Sequence, residues 1–489
     1  MSRIFQIFLI AQISFVSLVF GQNNGFDDKL FAGYDLYKEQ SLSVRRIKWE
    51  QLQPLIDNLK NVEGFKVTHL GKSIEGRDIS MISIGSGDVD VLLWSQMHGN
   101  EPTATMAIFD ILNYLESTAG RTKETRVLMD NLRIHFIPML NPDGADKFKR
   151  RNALNIDVNR DALRLQSPEG QLLKRVRDSL NADFGFNLHD QSIYYNVERT
   201  EKPATISYLA TAYNYDKSIN EVRKRSMQVI AMMNNIVQKY APGQVGRYSD
   251  DFEPRAFGDN IQKWGTSLVL IESGGYKNDT EKQFIRKLNF ISILSGLYSI
   301  ANNSYTQFNP GEYDKIPLND RKLFDLKIEN MNYRLNGKNY IIDVGINLNE
   351  VDNKAHTSYH YVGVIEEIGD LSTYYGYTTL DASGMDYAPG KLYAEVIDYT
   401  SLPMVPFDKI LNKGITTASV HAIPDSLTYS EYPLNLVNEE QEQKNNFGLG
   451  QNATFVLMSD EEVKYVILNG FVYAPGGKIK PVHNGIINK

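Results

Sequence analysis

Cysteine is absent from all 489 residues. Its absence excludes disulfides, a thiol nucleophile and thiolate ligation of a metal. Exported eukaryotic proteins of this size ordinarily carry disulfides, so a cysteine-free exported chain is expected to be a bacterial secreted or periplasmic protein. Surplus basic charge is also missing: the formal net charge is −7. That argues against nucleic acid or an anionic membrane surface as partner, since both need basic patches. Long apolar runs are confined to residues 4–20, behind Arg3. This stretch falls short of the roughly 20 residues that a spanning helix needs. With Val19-Phe20-Gly21 ahead of Gln22, residues 1–21 read as a secretory signal cleaved after Gly21. No lipid-anchoring cysteine follows it, so neither a membrane anchor nor a lipid anchor is expected, and no large pro-segment is expected between Gln22 and the first folded domain.

Apolar residues make up 42% of the chain, ample for sizeable cores, and the length favours two domains. Up to about residue 303 the helix and strand signals alternate. Residues 49–59 are apolar at helical spacing, residues 79–84, 89–94 and 132–138 read as strands, and Pro102 stands at the start of a helix over 103–115. Asn141-Pro-Asp-Gly144 has the composition of a tight reversal. Helical patterns follow over 168–180, 216–240 and 281–302. The expected fold class is α/β, with a mixed, mostly parallel twisted sheet flanked by helices. The first domain is assigned to residues 22–303. Residues 304–320 turn polar around Pro310, Gly311 and Pro317 and read as a linker. From 321 to 489 short alternating segments, 339–348, 359–368, 391–399 and 463–468, predict a smaller β-rich accessory domain. Residues 438–446, rich in Glu, Gln and Asn, read as a mobile loop.

Three strand-like segments each deliver a chemistry-bearing side chain at their carboxyl end, where open α/β sheets bind ligands. After residues 89–94 come His98 and Glu101, three positions apart and able to grip one ion. Residues 184–188 end on His189, and residues 267–271 on Glu272. Two imidazoles and a carboxylate form a recognised catalytic zinc set that leaves a position open for water. Glu272 would then be free for proton transfer in metal-assisted amide hydrolysis.

In these elements the sequence resembles the zinc metallocarboxypeptidases of the carboxypeptidase A type. The likeness runs in order: Gly71-Lys-Ser-Ile-Glu-Gly76-Arg77, His98-Gly-Asn-Glu101, Asn141-Pro-Asp-Gly144, Asp157-Val-Asn-Arg160, His189 and Glu272. The resemblance implies a zinc carboxypeptidase fold and one Zn2+ per chain, held by His98, Glu101 and His189, with Glu272 as general base and acid. It implies Asp157 as the partner that orients His98, and Asn159 and Arg160 as the receptor for the free C-terminal carboxylate of a peptide substrate. Arg150 matches the arginine that stabilises the oxyanion, with Arg151 as the competing assignment. Tyr248 falls near the position of the family's mobile tyrosine.

Asn100 departs from the pancreatic-type members, where an arginine stands between the first two ligands, and His-Gly-Asn-Glu is also the wording of acyl-amino-acid deacylases. Residues 255–259 are expected to cover the side-chain specificity pocket, with Phe257 or Gly258 at its floor, or Asp259 if the register shifts. Fragments of the second domain resemble the small β-sandwich portion of amidohydrolases but lack its His-x-His pair, so that domain is expected to be structural or binding. His356 and His360 have no carboxylates placed around them as His98 has, which suggests a strand surface. His69, His135, His421 and His483 are expected to be structural. The leading expectation is a secreted zinc carboxypeptidase. A zinc deacylase of acyl-amino acids is the alternative within enzymes, and a non-catalytic cell-wall or glycan-binding protein the alternative outside them.

Overall fold

The structure, a computed structural model, describes residues 25–438, 446–476 and 484–488. The expected signal (1–21), most of the loop over 438–446, and His483 lie outside the described residues. The strands of the first unit are β1 (Phe65–Lys72), β2 (Asp78–Ile84), β3 (Val89–Ser95), β4 (Leu132–Ile137), β5 (Phe184–Asp190), β6 (Asn196–Val197), β7 (Ile206–Leu209), β8 (Val245–Arg247) and β9 (Ser267–Ser273). All but β6 form one sheet in the order β1-β2-β4-β3-β5-β9-β7-β8. The middle pairs β4-β3, β3-β5 and β5-β9 are parallel, and antiparallel pairs flank them.

This architecture follows from the side-chain pattern. In β3, Val91 and Leu93 pack into one apolar cluster while Leu92 and Trp94 pack into another. The alternation of a strand thus feeds both faces, as a parallel sheet covered by helices on both sides requires. Helices Thr103–Thr118, Glu221–Tyr240 and Gln283–Ala301 cover the first face. Helices Pro168–Leu180 and Phe257–Lys263 cover the second. The buried Asp110–Arg286 pair ties the first layer together: Arg286 Nε and Nη2 donate to the two Asp110 oxygens at 2.7 and 2.5 Å.

Residues 304–320 differ from an open linker. Tyr313 is fully buried, with its hydroxyl accepting from Ala210 N at 3.1 Å, and β10 (Asn319–Asp320) pairs with β6. An aromatic anchor inside the polar stretch folds it onto the first unit. The Asn-Pro-Asp-Gly turn also differs: it opens a short helix, Pro142–Asp146, capped by the Asn141 side chain on Gly144 N at 2.9 Å. An Asn followed by Pro serves a helix start as well as a reversal.

The second unit is β-rich. Its main sheet contains β11 (Leu323–Leu335), β12 (Lys338–Asp352), β13 (Tyr359–Gly369), β14 (Tyr375–Asp381) and β15 (Asp386–Pro389), continued by the hairpin Phe455–Ser459 and Glu462–Leu468. Residues 391–399, expected as one strand, form two fragments, Lys391–Leu392 and Ile397–Asp398. Both lie parallel to the strand Ile415–His421 in a smaller sheet.

Candidate active site

Because β3, β5 and β9 are parallel neighbours, their carboxyl ends lie side by side. His189 on β5 stands opposite Glu272 on β9 in the register. The loop leaving β3 brings His98 and Glu101 to the same end, through Gln96 held at a positive φ of 46°. One ligand atom from each of His98, Glu101 and His189 lies within 4.8 Å of the others, and all three residues are buried. His98 Nδ1 is 2.8 Å from Glu101 Oε1, and His189 Nδ1 is 2.7 Å from Glu101 Oε2. Among the described residues this is the one such cluster. The His98 and His189 charges and hydrogen bonds hold Glu101 far below the usual carboxylate range against its complete burial.

The donor set suits zinc, which takes nitrogen and oxygen ligands. Two further observations fit an ion there. His98 Nε2 faces Asp157 Oδ1 at 3.1 Å, which leaves Nδ1 to face the cluster. Buried Glu272 Oε2 has no hydrogen-bond partner among the described residues, and buried polar atoms are rarely left so outside functional sites. Burial, then the nearby Glu101 and Asp190 carboxylates, push Glu272 well above the ordinary carboxylate value.

Asp157 caps a short turn of helix, Val158–Arg160, accepting from Asn159 N at 3.0 Å. Its other oxygen accepts from Arg150 Nε at 3.0 Å. Arg150 Nη1 reaches to 3.3 Å from Glu101 Oε1. Arg151 turns away and donates instead to Asn155 O at 2.9 Å, so of the two arginines Arg150 is the one that reaches the cluster. Asn159 Oδ1 accepts from Phe257 N at 3.0 Å, and Arg160 lies half-exposed with Nε 3.5 Å from Glu253 Oε2. Tyr248 packs edge-on against Tyr195, with ring centroids 5.5 Å apart. Burial and the Glu272 charge push its hydroxyl up.

Of the residues at the expected specificity pocket, Phe257 is fully buried at the head of its helix. Buried Asp259 accepts from Glu253 N at 3.1 Å, and its burial pushes its pKa up to about 7. The motif Gly71 to Arg77 has a structural use: Asp143 accepts from Ser73 Oγ at 2.7 Å, Glu75 N at 2.9 Å and Arg77 Nη1 at 2.7 Å. This binds the segment to the Asn141-Pro-Asp-Gly144 loop. His135 bridges Asp90 and Ser83, while His360 stacks on Tyr429 and His356 lies 3.2 Å from Asp352, each away from the cluster.

Sequence reasoning missed Asp190 and Lys282. Their side chains are buried beside the cluster and ion-paired at 3.2 Å. Asp190 directly follows His189, which was the available signal. It also missed the second unit's share in the cleft. A cavity of about 630 Å3 beside Glu101 is lined by Asp325, Glu350, Tyr361 and Tyr377 of that unit. Among the described residues no helix is long and apolar enough to cross a membrane.

The zinc carboxypeptidase family profile matches residues 55–170. Human carboxypeptidase D is 32% identical over 107 residues, covering 19% of this chain and 8% of that protein. Mouse carboxypeptidase M is 30% identical over 113 residues, covering 19% and 26%. The chain therefore spans about a quarter or less of the length of these relatives. Among solved structures, a metallo-carboxypeptidase from Burkholderia cenocepacia aligns with 52% of this chain and 69% of its own, at 16% identity and a TM-score of 0.42. The stretch matched by the zinc carboxypeptidase profile, residues 55–170, holds His98, Glu101, Arg150, Asp157, Asn159 and Arg160.

Proposed function

We propose that this chain is a zinc-dependent metallocarboxypeptidase that hydrolyses the C-terminal peptide bond of peptides. The observation that carries the proposal is the convergence of His98, Glu101 and His189 on one point, with Glu272 aligned beside His189. Zinc held by those three side chains would lower the pKa of a bound water to about 7 and polarise a carbonyl.

The chain's own residues supply the rest. Glu272 takes a proton from the attacking water and passes it to the leaving amine. A carboxyl raised by burial suits both directions of transfer near neutral pH. Arg150, held by Asp157, places a guanidinium where negative charge grows on the carbonyl oxygen. Asn159 and Arg160 receive the terminal carboxylate, which would displace Glu253 from the Arg160 fork. Tyr248, beside Glu272, covers the bound residue. Export after cleavage near Gly21 is part of the same proposal, tested by N-terminal sequencing of the mature protein.

The test is a peptide library incubated with the zinc-loaded chain and read by mass spectrometry. Shortening from the carboxyl end is expected, and Glu272→Gln should lower kcat/KM by about 10²- to 10⁴-fold while zinc content stays at one per chain. Hydrolysis of acyl-amino acids alone would transfer the assignment to the deacylases. A protein that binds no zinc, or whose hydrolysis ignores the Glu272 change, would refute a catalytic role.

A further inference from the structure

We propose that the C-terminal β-rich unit is a wall of the substrate cleft, and that its Asp325 receives the free α-ammonium of a short peptide. The inference rests on the carboxypeptidase reading. The cavity beside Glu101 is about 630 Å3, within the range of small-ligand sites and suited to a short peptide rather than a folded chain. Asn159 and Arg160 do not line it. A peptide with its carboxylate at those residues and its scissile bond at the metal cluster would therefore direct its preceding residues into this space.

The second unit fixes the shape of that space. The loop after His189 is held from the far side of the cleft: Tyr194 OH donates to Asp325 Oδ2 at 2.7 Å and Tyr377 OH to Ile193 O at 2.6 Å. Leu323 N donates to Tyr194 O at 3.2 Å, and Lys322 N to Asn196 Oδ1 at 3.0 Å. Gly275 has no room for a Cβ because the Tyr377 hydroxyl lies against it. Arg45 and Arg46 clamp the two units together through Glu350 at 2.5 and 2.9 Å. The wall is thus built into the fold rather than loosely tethered.

Charge then selects the ligand. Around the cavity, Arg45 is engaged by Glu350, and Lys282 by Asp190 and Ser273 O. Asp279 accepts backbone N–H groups from Gln283, Phe284 and Ile285. Lys277 is exposed and keeps its hydration. Asp325 differs from all of these. Its hydrogen bonds from Tyr194 OH and Leu348 N both fall on Oδ2, and among the described residues it has no cationic partner. Burial pushes its pKa up to about 6. Asp325 is partly exposed to the cavity it lines, so an ammonium entering there would meet a carboxylate that has no cation of its own.

The test compares unblocked tripeptides with their N-acetylated forms on the zinc-loaded full chain. The parent is expected to favour the unblocked peptides about tenfold or more in kcat/KM, as a charge-assisted contact provides. Asp325→Asn should collapse that ratio toward one. Tyr194→Phe, which keeps the charge, should retain the preference. Thermal melting and zinc content confirm that each variant folds. No preference in the parent, or an unchanged ratio in Asp325→Asn, would overturn the inference while leaving the carboxypeptidase reading intact. If neither peptide form is shortened, that reading falls and this inference with it.

Discussion

Replacing Asp157 by Asn probes the proposed metal centre without touching any of its three proposed ligands. Asp157 Oδ1 takes the His98 Nε2 side at 3.1 Å and Asn159 N at 3.0 Å, and Oδ2 takes Arg150 Nε at 3.0 Å. An amide has one acceptor oxygen where the carboxylate has two. If that oxygen stays with His98 and Asn159, the NH2 group faces the Arg150 donor and expels it. If the amide flips, His98 Nε2 loses its acceptor and the imidazole its fixed tautomer. Either way the negative charge behind His98 is gone. Losses of this kind cost about 10- to 100-fold in metal affinity, or about 1.4–2.7 kcal/mol at 1.36 kcal/mol per decade. Zinc competition against a chelator should show that weakening, and a saturating zinc titration should restore only part of kcat because Arg150 has lost an anchor. A zinc Kd within about twofold of the parent, with circular dichroism unchanged, would falsify the claim that Asp157 orients His98.

Arg160→Ala should raise KM for peptide substrates by about 10- to 100-fold, as loss of a charged hydrogen bond does, with a smaller effect on kcat; amidated peptides, lacking the carboxylate, should show no such sensitivity. Asp110→Ala strands a fully buried Arg286 and should destabilise the fold by about 3–5 kcal/mol. Asp110→Ala with Arg286→Met should recover much of this in denaturant melts, and a double variant no more stable than the single would contradict it. Asp259, raised by burial to about 7, holds a proton in the folded state that the unfolded chain loses near pH 4. Its contribution therefore falls as pH rises from about 4 to 7. Asp259→Asn should gain stability relative to the parent across that window, by roughly a few kcal/mol at most, and a gap that stays flat from pH 4 to 8 would exclude the effect.

What was legible in the sequence was local. The 3.6-residue spacing of Trp49 to Leu59 gives the helix Trp49–Leu59, and the apolar run of β3 gives a strand buried on both faces. His98, His189 and Glu272 could be picked out because each follows such a run, and sheet order then brings the three strand ends together. That order, β3-β5-β9, is not in the residues themselves, since it depends on which crossovers the helices make. The resemblance favours Arg150 over Arg151, but their neighbouring positions do not show which one faces the cluster. The loop, with Phe148 at a positive φ of 47°, points one at Asp157 and the other at Asn155. The linker failed to read as packed because one aromatic, Tyr313, outweighs a polar neighbourhood once it finds a buried slot. The wall of the cleft was hidden for a deeper reason. Asp325, on a strand of the second unit, meets Tyr194 across 131 positions of chain, and neither residue sits in a catalytic or metal-binding motif. A carboxylate there looks like any surface charge on an alternating strand until the partner loop covers it. A proposed subsite made by two units in contact therefore escapes a motif search, whereas a candidate metal cluster, whose ligand types are few, does not.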